Sequence, residues 1–148
     1  MKATDLLKKQ HKEVKSLFKK VEKTEDAGER RQLMQQITSA LELHTRLEEE
    51  IFYPAVRELG SKKAQEMVAE AFEEHHVVDL VLKDLPNVDP EDERFEAKMT
   101  VLSELVEHHA DEEEDEMFKL AQRLGDDELE DLAEQMQTQM GGSARRAA

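Results

Sequence analysis

The chain contains 148 residues, carries a formal net charge of −15 and has no cysteine. Its length suits one domain with its own hydrophobic core. The lack of cysteine excludes disulfides and thiolate metal sites, and the negative charge argues against binding to nucleic acid or to an anionic membrane surface. No apolar run approaches the ~18 residues of a membrane-spanning helix, and the first residues lack the apolar segment of a signal peptide. We therefore expect a cytoplasmic protein.

Long stretches without helix breakers predict an all-α fold. Only five glycines and three prolines occur, and the remaining composition is rich in residues that favour helices. No segment alternates between apolar and polar residues with the period of two that is typical of a half-buried strand. The predicted helices cover, in chain order, about residues 4–24, 29–59, 62–85, 90–124 and 126–140.

Cap residues and breakers set the predicted helix ends. Thr4 or Asp5 is expected to cap the first helix, and Ser61 the third. Asp89 followed by proline is typical of the start of the fourth helix. Pro54 lies inside the long second helix, and we expect it to kink that helix because proline lacks a backbone N–H.

Four long helices with short links predict an up-down-up-down four-helix bundle. We assign residues 1–125 to this bundle, 126–140 to a short C-terminal amphipathic fifth helix and 141–148 to a disordered tail. The fifth helix either covers the bundle or forms a dimer contact, so a monomer and a weak homodimer both stay open. Its apolar side consists of Leu129, Leu132, Ala133, Met136 and Met140.

Each long helix has an apolar seam that polar residues interrupt in mid-helix. A single buried histidine usually needs only a hydrogen-bond partner, but a buried carboxylate needs a cation or a proton. Each glutamate in these seams follows a histidine by four residues, which puts both side chains on one helix face. The interrupting residues are His11, His44, Glu48, His75, His109 and Glu113.

The pattern His, then His-x-x-x-Glu, occurs twice. The two histidines lie 33 residues apart in the first copy (His11, His44) and 34 in the second (His75, His109). A duplicated helical hairpin would bring two metal half-sites together, with two imidazoles on each metal and both glutamates bridging. A bridging oxo or hydroxo group would leave one open position on each metal for a small ligand. Such ligands suit two iron ions, with manganese or zinc as alternatives.

The seam register selects among neighbouring histidines. His75 lies four residues after Ala71 and three residues before Val78, both of which are apolar seam positions, so it faces inward. His109 lies three residues after Val106 and faces inward by the same argument. His76 and His108 are rotated by about 100° from these positions. We therefore assign them to solvent or to the surroundings of the metals.

The register also selects Glu113 within its acidic run, with Glu114 as the alternative. Tyr53 is the only tyrosine, and it lies near the seam five residues beyond a predicted ligand. It either packs there with its hydroxyl group at a polar edge or reaches the metals. The sequence leaves both roles open.

At these positions the sequence resembles the haemerythrin-like HHE cation-binding family. The likeness covers about residues 1–125 and rests on the full order of the repeated motif. The segments that carry the resemblance are His44-Thr-Arg-Leu-Glu48-Glu-Glu-Ile-Phe-Tyr-Pro54, Glu74-His75 and His108-His109-Ala-Asp-Glu-Glu113. The resemblance implies a four-helix bundle around a carboxylate-bridged, non-haem di-iron centre that binds or reacts with O2, NO or peroxide.

The sequence departs from the oxygen-carrying haemerythrins in two ways. The carriers have a second histidine four residues after that of the third helix, where this chain has Asp79. They also end with an aspartate five residues after their last histidine, where here Glu113 follows at four. One iron therefore lacks an imidazole, or gains Asp79, Tyr53 or water. We expect a reactive or sensing site, with catalase-like peroxide removal if the protein is an enzyme.

Two other interpretations stay open. The protein could be an iron, oxygen or redox sensor, or an iron-handling protein without catalysis, whose helices order when metal binds. It could also be a metal-free acidic bundle. A ferritin-like site is set aside because it needs two Glu-x-x-His motifs, and only Glu73-Glu-His-His76 has that spacing.

Overall fold

The computed structural model describes the backbone of residues 1–147 and the side chains of residues 1–141. Over this range the chain is helical and has no strand, as predicted. Two five-residue π-helical turns, called here the first and second π turn, span Glu48–Phe52 and Glu113–Met117. The helices are α1 Ala3–Lys23, α2 Ala27–Leu47, α3 Tyr53–Arg57, α4 Lys62–Asp84, α5 Glu93–Glu112, α6 Phe118–Ala121 and α7 Asp126–Ala147.

The helices form a four-helix bundle with one additional helix, which confirms the predicted fold class. The π turns join α2 to α3 and α5 to α6, so each of these segments acts as one long bundle helix. α1 packs on α2 and α5, and α4 packs on α3 and α5. α7 packs on α1 and buries the predicted apolar side of the fifth helix, although Met140 is only half-buried. Within residues 1–147, no helix is long and apolar enough to cross a membrane.

The interruption of the second bundle helix does not depend on its proline. We expected Pro54 to kink this helix, but the irregular turn begins at Glu48, whose carbonyl accepts from the N–H of Tyr53. The same turn begins at Glu113, whose carbonyl accepts from the N–H of Phe118, and no proline lies there. The π turn therefore accompanies the His-x-x-x-Glu motif in both halves.

The structure corrects one predicted helix start. α5 begins at Glu93, not beside Asp89, because the side chain of Asp92 accepts from the N–H of Arg94 at 3.0 Å. Asp89 accepts from a backbone N–H within the preceding turn instead. The prediction that Ser61 caps α4 is confirmed, since its hydroxyl accepts from a backbone N–H in the first turn of that helix.

The start of the first helix and the end of the last helix differ slightly from the predicted ones. α1 begins at Ala3, and Asp5 lies inside its first turn, where it accepts from the backbone N–H of Lys2 at 3.2 Å. The backbone of α7 continues to Ala147, beyond the predicted end at Met140. The side chains beyond residue 141 and the last residue lie outside the described part, so the disordered tail stays a prediction.

Two apolar layers enclose the middle of the bundle. One layer contains the buried residues nearest α7, and the other contains those at the opposite end. A charge between them is poorly solvated and must be compensated locally. Each seam histidine lies between the two layers, flanked in sequence by Leu7 and Val14, by Leu41 and Leu47, by Ala71 and Val78, or by Val106 and Met117.

The junction before α7 depends on Gly125, whose φ of 91° and ψ of 157° suit glycine almost alone. Gly125→Ala is expected to lower the free energy of unfolding by about 1–3 kcal/mol, although a Cβ would meet nothing within 4 Å. Gly141→Ala is the control, because a Cβ there is equally free and φ is helical. Denaturant titration followed by circular dichroism measures both, and equal stabilities would contradict the argument.

Candidate metal centre

The six predicted ligands meet at one level of the bundle. One histidine comes from each of α1, α2, α4 and α5, and each π turn begins with a glutamate. All six are buried, with exposed fractions from 0% to 9%. Their donor atoms form two groups within 4.8 Å, namely His11, His44, Glu48 and Glu113, and Glu48, His75 and His109.

The imidazoles are arranged as two pairs. The Nε2 atoms of His11 and His44 lie 3.1 Å apart, and those of His75 and His109 lie 3.2 Å apart. Two nitrogens at about 2.1 Å from one metal, roughly at right angles as in octahedral coordination, would be about 3.0 Å apart. Each pair therefore has the spacing expected of two ligands of one metal ion.

Both glutamates reach both pairs. Glu48 Oε1 lies 3.2 Å from Nε2 of His44 and 3.1 Å from Nε2 of His75. The two carboxylate oxygens of Glu113 each lie 3.3 Å from an Nε2 atom, one in each pair. This arrangement suits carboxylates that bridge two metals.

Three carboxylate oxygens at the centre have no hydrogen-bond partner among the described residues. They are both oxygens of Glu48 and Oε1 of Glu113. The imidazole nitrogens lie close to them but do not have hydrogen-bond geometry. Buried polar atoms are normally paired, and leaving one unpaired costs about 1–3 kcal/mol. Cations between the two imidazole pairs would satisfy all three oxygens at once, so the residues present fit metal ions.

All four imidazoles are oriented from outside through Nδ1. When Nδ1–H donates outward, the lone pair of Nε2 faces the centre, which is the usual arrangement of metal-binding histidines. The outer partners are Glu114 for His11 and Gln10 for His44, each at 2.7 Å, and Glu49 for His75 and Glu74 for His109, each at 2.9 Å.

Only one of these outer partners is among the residues predicted from the sequence. Glu114 was named as an alternative ligand, whereas Gln10, Glu49 and Glu74 were missed. A signal was available, because each partner is the immediate sequence neighbour of a predicted ligand. The partner nevertheless orients a histidine on a different helix, which only the packing of the bundle determines.

Tyr53 lies inside the centre. Its hydroxyl donates to Glu113 Oε2 at 2.6 Å and lies 3.2 and 3.3 Å from Nε2 of His75 and His109. Burial, followed by the negative charges of Glu48 and Glu113, raises the pKa of Tyr53 well above its usual value of 10. The phenol therefore keeps its proton in the metal-free protein.

The remaining candidates lie outside the centre. His76 is exposed, and His108 is 72% exposed and contacts Glu112 at 3.2 Å, as the seam register predicted. Asp79 pairs with Lys83 at 2.8 Å. Asp79 is not among the residues whose donor atoms meet at the centre.

Charges within the metal-free centre stabilise one another. Burial disfavours an imidazolium, but the nearby carboxylates of Glu113, Glu48 and Glu74 raise the pKa of His109 to about 12. Burial also disfavours a carboxylate, but the charge of His44 and the close contacts with Glu113 and His109 keep the pKa of Glu48 well below its usual range. Imidazolium protons thus balance the carboxylates that would face the metals.

Metal loading is expected to release protons. His109 is protonated at neutral pH because its pKa is about 12, and a metal can bind only the neutral imidazole. Affinity should therefore fall as pH falls, by about tenfold per pH unit for each proton released. Calorimetric titration in two buffers with different ionisation enthalpies counts these protons. Proton uptake, or affinity that rises as pH falls, would contradict the prediction.

Comparison with known proteins then identifies the family. The family model described as "Hemerythrin HHE cation binding domain" matches residues 2–121. The chain belongs to this family. Membership of this family and the two buried groups of histidine and glutamate side chains together support metal binding.

A solved structure agrees with this assignment, and the chain is also similar to two curated proteins. The uncharacterized protein Rv2633c of Mycobacterium tuberculosis is 30% identical over 139 residues, which span 92% of this chain and 83% of that protein. The crystal structure of an HHE cation binding domain-containing homolog of Rv2633c from Mycobacterium kansasii matches with a TM-score of 0.85 and 30% identity, covering 99% of this chain and 91% of that one. A DNA nickase of Nostoc is 25% identical in an alignment of 156 positions that covers 99% of this chain but 43% of the nickase.

Proposed function

We propose that this haemerythrin-like protein is a non-haem di-iron protein that binds or reacts with O2, NO or peroxide. The observation that carries the proposal is the set of buried carboxylate oxygens without partners between two imidazole pairs. One iron would be held by His11 and His44 and the other by His75 and His109. The glutamates at the start of the π turns would bridge them.

The donor set supports iron. Imidazole and carboxylate ligands suit iron, manganese or zinc, and iron in such a site would supply redox chemistry and an open position for a small ligand. The phenol oxygen of Tyr53 lies 2.6 Å from Oε2 of Glu113, the carboxylate that would bridge the metals. It is thus placed to donate a hydrogen bond near the His75–His109 position. Peroxide removal is the reaction that we propose if the protein is an enzyme.

A surface groove supports the approach of a small ligand. It has a volume of about 700 Å³, and its lining includes Arg46, Glu49 and His75. His75 is a proposed ligand and Glu49 is its outer partner, so the groove reaches the edge of the centre. The apolar layers on either side of the centre restrict entry from the ends of the bundle.

Iron analysis of the aerobically purified protein tests this proposal. We expect two irons per chain, one for each donor group, and near-ultraviolet absorption of a coupled ferric pair. Addition of peroxide or NO should change this spectrum. Iron far below two per chain together with no such absorption would overturn the proposal. Retention of manganese or zinc in place of iron would contradict the assignment of the metal.

The alternative is an iron, oxygen or redox sensor. It is favoured by a contact between α7 and the centre, since Gln10 orients His44 and also lies 3.8 Å from the sulfur of Met140. Metal loss could therefore be transmitted to the last helix. Helicity and protease resistance with and without a chelator test this function, and an apo form as ordered as the holo form would count against it.

We also propose a cytoplasmic location, as the composition and net charge of −15 indicate. The same charge is the basis for proposing that neither nucleic acid nor an anionic membrane is a partner. Monomer and weak homodimer remain the two proposed states, and sedimentation analysis distinguishes them.

A further inference from the structure

The two halves of the centre correspond residue by residue. Glu49 and Glu114 each follow a bridging glutamate and orient a histidine of the other hairpin. Gln10 and Glu74 each precede a histidine and orient the second histidine of their own hairpin. The outer partners are therefore related by the same pseudo-twofold axis as the ligands.

Two pairs of corresponding positions break this symmetry. Gln10 presents a neutral amide to His44, whereas Glu74 presents a carboxylate to His109. Five residues after the bridging glutamates, one half has the phenol of Tyr53 and the other has the ring of Phe118. The His75–His109 pair therefore has one more carboxylate partner than the His11–His44 pair, and the phenol of Tyr53 lies against it.

The neutral partner is built into the packing of the bundle. Gln10 is 7% exposed, and its amide lies against the sulfur of Met140 on α7. A carboxylate there would be buried beside an apolar helix, which is costly. Glu74 has a side chain that is 25% exposed, so water offsets the cost of its charge.

A carboxylate and an amide affect a metal-binding imidazole differently. A carboxylate that accepts from Nδ1–H makes Nε2 more basic and so a stronger ligand. It also adds a negative charge near the cation in a poorly solvated region, where charges interact more strongly than in water. Both effects favour the metal held by His75 and His109.

We propose that the two metal positions are unequal: the His75–His109 position fills first and retains its ion, and the His11–His44 position exchanges its ion readily. This inference deepens the proposed di-iron function and rests on it. Glu74 and Gln10 are the positioning residues that set the difference.

Release kinetics of ferrous iron test the inference. Protein loaded with ferrous iron without oxygen is mixed with an excess of a chromogenic ferrous chelator. The wild type should lose its iron in two phases of equal amplitude. Glu74→Gln should accelerate only the slow phase, and Gln10→Glu should slow only the fast phase, each by about 10- to 100-fold.

Two exposed positions provide matched controls for the change in charge. Glu73→Gln removes a charge beside Glu74, and Gln36→Glu adds one on the surface of α2. Both should leave the two phases unchanged. If circular dichroism shows that Gln10→Glu does not fold, Glu74→Gln decides alone by whether it accelerates the slow phase.

The outcomes separate the inference from the function on which it rests. Release of two irons at one rate, or acceleration of the fast phase by Glu74→Gln, overturns the unequal positions and leaves the di-iron proposal intact. A wild-type protein that takes up no iron overturns both.

Discussion

Replacing Glu48 by glutamine is expected to reduce the iron content from two ions per chain to fewer than one. Glu48 belongs to both donor groups, and its Oε1 lies within 3.2 Å of His44 and His75. The amide removes the negative charge that would compensate two cations, so both positions lose affinity. The loss of metal affinity should be larger than the loss of about 10- to 100-fold that is typical when an outer hydrogen-bond partner of a ligand is changed. Metal analysis after gel filtration measures it.

The matched control is Glu50→Gln, two residues further along the chain. Glu50 is exposed and accepts from Gln139 at 2.8 Å, so this variant should retain both irons. Full iron content in the Glu48→Gln protein would rule out a bridging role. Glu48→Leu addresses the metal-free alternative, because a chain that binds no metal would show the same metal content with and without the substitution, whereas a metal-binding chain would lose loading.

Replacing Tyr53 by phenylalanine is expected to lower the free energy of unfolding of the metal-free protein by about 1–3 kcal/mol. Tyr53 is fully buried and donates to Glu113 Oε2, so water does not replace the lost hydroxyl group. Denaturant titration of the chelator-treated proteins measures the difference. Equal stability of the two proteins would show that the hydrogen bond contributes nothing.

Tyr53 also provides an optical probe of loading. It is the only tyrosine, and the chain has no tryptophan. Its hydroxyl lies within 3.3 Å of two proposed ligand atoms, so iron should quench its fluorescence in the wild type. The Glu48→Gln protein should show little quenching at the same iron concentration. Unchanged fluorescence in a fully loaded wild type would place the metal away from Tyr53.

The sequence predicts the six residues of the centre because burial on a helix has a strict period. His75 and His76 are neighbours, but a rotation of about 100° separates them, and only His75 keeps the spacing of the apolar seam. Glu48 and Glu113 are selected in the same way from acidic runs. The four-helix bundle follows from the same seams and from the short links between helices.

Other features depend on tertiary structure or on competing local signals. Asp89 and Asp92 are both able to cap a helix, and sequence alone does not rank them. A π turn shifts the hydrogen bond by one residue and leaves no change in composition. The partners Gln10, Glu49 and Glu74 orient histidines on other helices, so the distances between helices decide these contacts.

The two π turns bear on the history of the molecule. A π turn is an α-helix with one additional residue in a single turn, and such turns are frequent at functional sites. In this chain both begin at the glutamate of a His-x-x-x-Glu motif and span five residues. If the two hairpins descend from one ancestral gene segment, the simplest order of events puts the insertion before the duplication. The ancestral hairpin would then have carried its inserted residue into a symmetric pair, and later replacements at the corresponding positions Gln10 and Glu74, and Tyr53 and Phe118, would have distinguished the two halves.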